Sequence, residues 1–125
     1  MENNTLKKPQ EELPSISIEE KVYKCLQDYG NDFLALDIYL QGSKIEGVKE
    51  LFKNGHKILT VEEYLEKYKK EGRETISIED QNSSFFIEKV KLLDELANKI
   101  NSLGENIDEQ ELNEIITKVK EIIYN

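Results

Sequence analysis

Apolar residues recur at spacings of three and four along the C-terminal third of the chain. The first series consists of Phe86, Val90, Leu93, Ala97 and Ile100. The second series consists of Leu112, Ile115, Ile116, Val119, Ile122 and Ile123. Because a helix has 3.6 residues per turn, each series lies on one helical face. We call the two series the hairpin stripe. The pattern predicts two helices, over about 85–103 and from Asp108 to Tyr124, joined as an antiparallel hairpin.

This hairpin cannot be stable by itself. Ordering about forty residues costs more conformational free energy than about a dozen apolar side chains return on burial. The hairpin stripe therefore needs a cover, and the sequence leaves three alternatives open. The cover is the preceding part of the chain, a second copy in a homodimer, or a different protein.

The ends and the composition define the domain organisation that we expect. Residues 1–16 are polar, with isolated apolar positions, and are predicted to form a disordered tail. Residues 17–80 form a small module, and residues 84–124 form the hairpin, which packs on that module or on a partner. No apolar run is long enough for a membrane span or a signal peptide, so we expect a cytoplasmic protein without membrane contact.

Capping boxes mark the beginnings of the helices that we predict in the module. The boxes are Ser17 with Glu20, Ser43 with Glu46, and Thr60 with Glu63; Asp108 with Glu111 forms a fourth box in the hairpin. Apolar spacing then predicts helices over about 18–29, from 45 to the glycine at 55, and from 61 to the glycine at 72.

Three short apolar runs resemble strands. Residues 33–41 alternate as a half-buried strand does, although Leu and Ala favour helix, so a helix is the alternative there. Residues 56–59 and 75–78 are the other two predicted strands, and a polar breaker follows from Glu79 to Ser84. The predicted fold class is therefore α+β and helix-dominated, with a mixed module preceding the hairpin.

The sequence offers few residues that could form a disulfide, bind a metal or catalyse a reaction. The chain has one cysteine, Cys25, and one histidine, His56, so a disulfide within the chain and a structural metal site are not expected. Cys25 lies on the apolar face of its helix and is interpreted as a small buried hydrophobe. No catalytic or cofactor-binding motif is present, and the protein is predicted to be non-enzymatic and without a cofactor. An enzyme or small-ligand binder with a site assembled from distant residues remains a second alternative.

The leading hypothesis is a small acidic protein-binding factor that acts by docking, such as an inhibitor, an immunity or antitoxin-like factor, or an assembly chaperone. It rests on the net charge of −9, the lack of chemical motifs and the uncovered stripe. Phe85 lies about 100° from Phe86 around the helix, so it is either packed on the preceding strand or an exposed anchor. The candidate docking residues are Phe85, Phe86, Leu93, Ile100, Leu112, Ile116 and Val119.

The first alternative is a nucleic-acid-binding regulator that uses residues 44–74 in a winged-helix-like arrangement. This segment holds 8 basic and 7 acidic residues, whereas the segments on either side are clearly acidic. Its candidate contacts are Lys44, Lys49, Lys53, Lys57, Lys67, Lys70 and Arg73. Acidic residues are interleaved among them, and the chain has a single arginine for base recognition, so nucleic acid is not the expected partner.

Overall fold

The computed structural model describes residues 17–42, 45–72 and 76–124. Of these residues 82% are helical, and no strand occurs among them. The fold is therefore all-helical in this part of the chain, and the predicted α+β class is wrong. The predicted tail over 1–16 and the predicted cap at Ser43 lie outside the described residues.

The described helices differ widely in length. They are α1 (Ile18–Tyr29), α2 (Asn31–Ala35), α3 (Asp37–Gln41), α4 (Ile45–Lys53), α5 (Val61–Lys70), α6 (Ile78–Gln81), α7 (Ser84–Leu103) and α8 (Glu109–Tyr124), with a 3-10 turn (Gly104–Asn106) between the last two. The predicted helices over 18–29, 85–103 and 108–124 agree with α1, α7 and α8 to within one residue.

The two long helices form the predicted antiparallel hairpin. Lys89, in the second turn of α7, donates a hydrogen bond from Nζ to the carbonyl of Ile122, in the last turn of α8, at 3.1 Å. The predicted capping box at the start of α8 is also confirmed. The Oδ1 atom of Asp108 accepts from the Glu111 N–H at 2.7 Å, and the Asp108 N–H donates to the Glu111 carboxylate at 3.4 Å.

The hairpin is the centre of the fold, and the shorter helices surround it. Helix α1 packs across both α7 and α8. Helices α2 and α3 pack on α8, α5 and α6 pack on α7, and α4 packs on the 3-10 turn. Apolar side chains of α1 to α5 join the hairpin stripe in one core cluster, so the chain itself covers the stripe.

The structure confirms two of the capping boxes that the sequence predicts in the module. Ser17 and Thr60 both form reciprocal capping boxes with the glutamate three residues later. Gly55 ends α4 with a φ of 97°, while the His56 N–H donates to the Leu51 carbonyl at 3.0 Å, which is the Schellman arrangement. The predicted helix ends are therefore explained by short-range hydrogen bonds.

The predicted strand over 33–41 is wrong, because this segment forms α2 and α3. Phe33 and Leu36 are buried and Leu40 is half-buried, whereas Ile38 is 70% exposed. A strand would have placed Ile38 on the same face as Leu36 and Leu40. Inward positions spaced three and four apart are instead helical, in agreement with the helix propensity of Leu and Ala.

The predicted strand over 56–59 is also wrong, and side chains replace the missing strand partner. The Asn101 amide accepts from the Ile58 N–H through Oδ1 at 2.9 Å and donates through Nδ2 to the Ile58 carbonyl at 2.7 Å. The Tyr29 hydroxyl donates to the Leu59 carbonyl at 2.6 Å. Because α1 and α7 supply these groups, the segment is held against the bundle without a sheet.

The third predicted strand, over 75–78, is absent from its described part. Ser77 is the N-cap of α6, and its Oγ accepts from the Asp80 N–H at 3.1 Å. Residues 79–81, which were predicted to be part of a breaker, therefore belong to a short helix. Thr75 lies outside the described residues.

Gly47 permits a close contact between α3 and α4. A Cβ added there would lie 2.6 Å from Cδ1 of the Tyr39 ring, which is too close for an unchanged packing. We expect Gly47→Ala to destabilise the protein by about 1 kcal/mol, because overpacking costs about 1–3 kcal/mol and the gain in helix propensity is about 1 kcal/mol.

The same change is expected to stabilise the Tyr39→Ala variant, in which the ring is removed. Urea unfolding of the four proteins in this double-mutant cycle measures the coupling. A stabilising effect of Gly47→Ala that is equal in both backgrounds would contradict the contact.

Candidate functional site

The structure places most of the predicted docking residues in the interior. Phe86, Leu93, Ile100, Leu112, Ile116 and Val119 are at most 5% exposed. They belong to the core that α1 and the other short helices cover. A protein that docks on the folded chain does not reach these six side chains.

Phe85 differs from the others because it is half-buried at the surface. Its ring lies edge-on to Tyr23 of α1, with 5.3 Å between the centroids and 77° between the planes. The Nζ atom of Lys89 lies 5.1 Å from both ring centroids. The predicted packing of Phe85 on a preceding strand is replaced by this contact with α1, which leaves part of the ring accessible.

Four helix ends meet around this aromatic pair. The Lys21 ammonium of α1 lies 3.6 Å from the Asp80 carboxylate of α6, and the Lys89 bond to the carbonyl of Ile122 joins the start of α7 to the end of α8. We call this region the α6 end of the bundle. It consists of the first half of α1, all of α6, the start of α7 and the last turn of α8.

Exposed apolar side chains are concentrated at the α6 end. Six large hydrophobic side chains are exposed in the described residues, and four of them belong to helices at this end: Ile18 (45%), Ile78 (72%), Ile87 (55%) and Tyr124 (58%). The other two, Leu92 and Ile38, lie in the middle of α7 and on α3. Single exposed hydrophobics are normal, whereas a group at one place is typical of contact surfaces.

The sequence contains a signal for the exposure of part of this group. Ile87 follows Phe86 directly and so points about 100° away from the hairpin stripe, as Phe85 does on the other side. The sequence predicts a strand at Ile78, whereas in the structure Ser77 caps α6 and Ile78 lies exposed at its first position.

The basic residues of the middle segment do not form one face. Lys49 and Lys53 belong to α4, which packs on the 3-10 turn beyond the end of α7. Lys67 and Lys70 are in the last turn of α5, which begins opposite Asp94 and leads back toward the start of α7. Helix α7 is about 30 Å long, so the two groups lie near opposite ends of the bundle.

The other basic residues that the sequence suggests for nucleic-acid binding do not join these two groups into one surface. The Lys57 ammonium is 3.2 Å from the Glu63 carboxylate. The hydrogen bond from the Thr60 N–H, and after it the bond from Lys57, lowers the pKa of Glu63. Lys44 and Arg73 lie outside the described residues. The described positive charges of this segment are thus separated and partly neutralised, which is unfavourable for phosphate binding.

Two open depressions are present on the described surface. One, of about 650 Å³, is lined by charged side chains along one face of α5. The other, of about 520 Å³, lies between Leu40 and the first turns of α8. Within the described ranges, no group of three or more His, Cys, Asp or Glu side chains is arranged to hold a metal ion.

Two ionisable groups, buried Cys25 and half-buried Asp94, have structural roles. Burial, with a smaller contribution from Asp28, raises the pKa of the Cys25 thiol to about 12, so the reactive thiolate is strongly disfavoured. Burial also raises the pKa of Asp94, although the hydrogen bond from the Val61 N–H opposes this shift. The Asp94 carboxylate accepts that bond at 2.8 Å and holds the start of α5 against α7.

No helix in the part of the chain that the structure describes is long and apolar enough to cross a lipid bilayer. No protein-family model matches the chain, and comparisons with characterised proteins and with solved structures give no match either.

Proposed function

We propose that the protein is a non-enzymatic protein-binding factor that docks on another protein through the α6 end. The observation that carries this proposal is that four of the six exposed large hydrophobic side chains in the described residues belong to helices at this end, which also holds the half-buried Tyr23 and Phe85 pair. The hairpin stripe is internal, so the docking surface that we propose is the α6 end and not the stripe. Phe85 is the one predicted docking residue that remains part of it.

The physical argument is that these exposed side chains contribute little burial free energy in the isolated chain. An apolar side chain that leaves water contributes about 25 cal/mol for each Å² of buried area, and Ile78 and Tyr124 leave most of that gain unused. A partner that covers the α6 end recovers it. Inhibitors, immunity or antitoxin-like factors and assembly chaperones all act by such contact.

Ile78 and Ile38 provide a matched test, because they are the same residue type and are 72% and 70% exposed. We expect Ile78→Glu to weaken binding to a partner captured from a native extract at least tenfold, since a carboxylate in the contact opposes apolar burial. Ile38→Glu, on α3, is expected to bind as the wild type does.

The measurement is the amount of partner retained on the immobilised protein, with unfolding curves to show that both variants fold. Equal binding by both variants would exclude the α6 end as the contact. A wild-type chain that retains no protein under conditions that preserve weak complexes would contradict the docking function itself.

A further inference from the structure

We infer that residues 56–72 form a strap that opens locally, as one unit, while α1 and the hairpin stay folded. The strap consists of the non-helical segment 56–60, helix α5 and the turn that follows it. Because a ligand shifts an equilibrium toward the form that it prefers, a closed and an open state give the fold a means of regulation. This inference does not depend on the proposed docking surface.

The hydrogen bonds that attach the strap to the bundle lie close together. Side chains of α1 and α7 form four such bonds with the strap backbone within residues 58–61, two of them by Asn101 and one each by Tyr29 and Asp94. Because a chain that is displaced at one of these residues also displaces its neighbours, we expect the four bonds to break together. The released groups then form hydrogen bonds with water, which offsets most of the loss.

The strap contributes few side chains to the core. Among its described residues the buried ones are Ile58 and Val61, whereas α1, α7 and α8 contribute four, five and five buried residues. The half-buried side chains of the strap are Leu59, Thr60, Tyr64, Leu65 and Tyr68. Local opening costs least where few apolar side chains leave the core, so the strap should open at a lower free energy than the bundle unfolds.

Glycines with a positive φ lie at both ends of the strap. Gly55, directly before it, has a φ of 97°, and Gly72, its last residue, has a φ of 74°. At neither glycine does a packed atom of the described structure lie within 4 Å of the position that a Cβ would occupy. Glycine has the widest range of backbone conformations, so the two positions can serve as hinges.

Cys25 lies beneath the strap and can report on its opening. Tyr29 follows Cys25 by one turn of α1, and its ring contacts Tyr64 of α5 edge-on, with 5.5 Å between the centroids. Burial raises the pKa of the Tyr64 hydroxyl, and the nearby Tyr68 and Cys25 add to that shift, so Cys25 is also close to Tyr64. Cys25 is 4% exposed and is the one cysteine of the chain. A thiol reagent therefore reaches it only after the structure opens.

The rate at which N-ethylmaleimide alkylates Cys25 measures this opening, with mass spectrometry as the readout. When closing is faster than alkylation, the rate is proportional to the population of the open form. We expect the wild-type rate to rise less than about twofold per molar urea at low concentrations, because a local opening exposes little surface. Global unfolding would raise it at least about fivefold per molar. A rate that follows global unfolding from the lowest urea concentrations would overturn the inference.

Two variants separate local opening from global unfolding. Asn101→Ala removes two of the bonds to the strap and is expected to accelerate alkylation at least tenfold. Ile116→Val is the matched control, since it destabilises the core at α8, which stays folded in the open form. It should lower the stability measured by urea unfolding and leave the alkylation rate nearly unchanged. An Ile116→Val rate that rises in proportion to the lost stability would contradict a local opening, as would an unchanged Asn101→Ala rate.

Hydrogen exchange of the wild type provides a second measurement that needs no variant. The amides of Ile58 and Val61 donate to Asn101 and Asp94, so the same opening releases both. We expect their exchange to give the same opening free energy as the alkylation of Cys25. Amides in the middle of α7 and α8 should require a larger free energy, because they exchange by global unfolding. Equal protection of the strap and the hairpin would overturn the inference.

Discussion

Replacing Leu93 with glutamate is expected to abolish the folded state. Leu93 is fully buried at the centre of α7, where the hairpin stripe meets the other core side chains. A carboxylate at this position would be desolvated with no partner on the stripe, and it would also remove a large apolar side chain from the core. The sum is comparable with the whole stability of a small protein, which is about 5–15 kcal/mol.

The neighbouring residue provides the control, because Leu92 is 45% exposed on the same helix. We expect Leu92→Glu to change the free energy of unfolding by less than about 1 kcal/mol, as surface substitutions usually do. Circular dichroism and size-exclusion chromatography measure both variants. A partial recovery of the Leu93→Glu variant at acid pH, where the carboxyl group is neutral, would support the mechanism.

This pair of variants also separates the alternatives that the sequence left open for the hairpin stripe. If a second copy covered the stripe, Leu93→Glu would yield a folded monomer. In the structure the chain itself covers Leu93, so the expected product is an unfolded chain. Self-association by another surface stays a prediction, and sedimentation of the wild type at several concentrations tests it.

Removing the Asn101 side chain is expected to have the second-largest effect. Its amide makes two hydrogen bonds with the backbone of Ile58, a residue that is 1% exposed. Asn101→Ala leaves this N–H and this carbonyl without their partners, and a buried unpaired group costs about 1–3 kcal/mol. We expect a total loss of about 2–4 kcal/mol, although alanine has the higher helix propensity.

Asn98, one turn earlier on α7, is the matched control because its side chain is exposed. Asn98→Ala is expected to be neutral or slightly stabilising, since only the helix propensity changes. Urea unfolding gives both free energies, and hydrogen exchange of the Ile58 amide shows whether the 56–60 segment opens locally. A neutral Asn101→Ala variant with unchanged protection of Ile58 would show that these bonds do not hold the segment.

The helices predicted from the sequence are those with local signals. Capping boxes at Ser17, Thr60 and Asp108 and the Schellman turn at Gly55 involve residues at most five apart. Their hydrogen bonds form within one turn whatever the rest of the chain does. The periodicity of the hairpin stripe is of the same kind, because it extends over several turns of a single helix.

Two of the wrong strands, over 33–41 and 56–59, are short apolar runs whose conformation depends on distant partners. In 33–41 the burial of Phe33 and Leu36 against the bundle selected helix over strand. In 56–59 the partner is the Asn101 side chain, which is 43 residues away from Ile58 in sequence. No local pattern predicts that an amide side chain replaces a neighbouring strand.

Contacts between residues distant in sequence also determine the location of the candidate site. From the sequence, Leu93 and Phe85 were equal candidates for docking, since both are large apolar side chains on one helix. Only the packing of α1 across α7 and α8 buries the first and leaves the second partly exposed beside Tyr23.

The sequence by itself determined that this protein contains an amphipathic hairpin that needs a cover, because periodicity and caps are local properties of the chain. The tertiary structure decided which surface supplies that cover and which apolar side chains remain exposed. Both depend on contacts between residues that are far apart in sequence, and a single sequence does not encode those contacts in any local pattern.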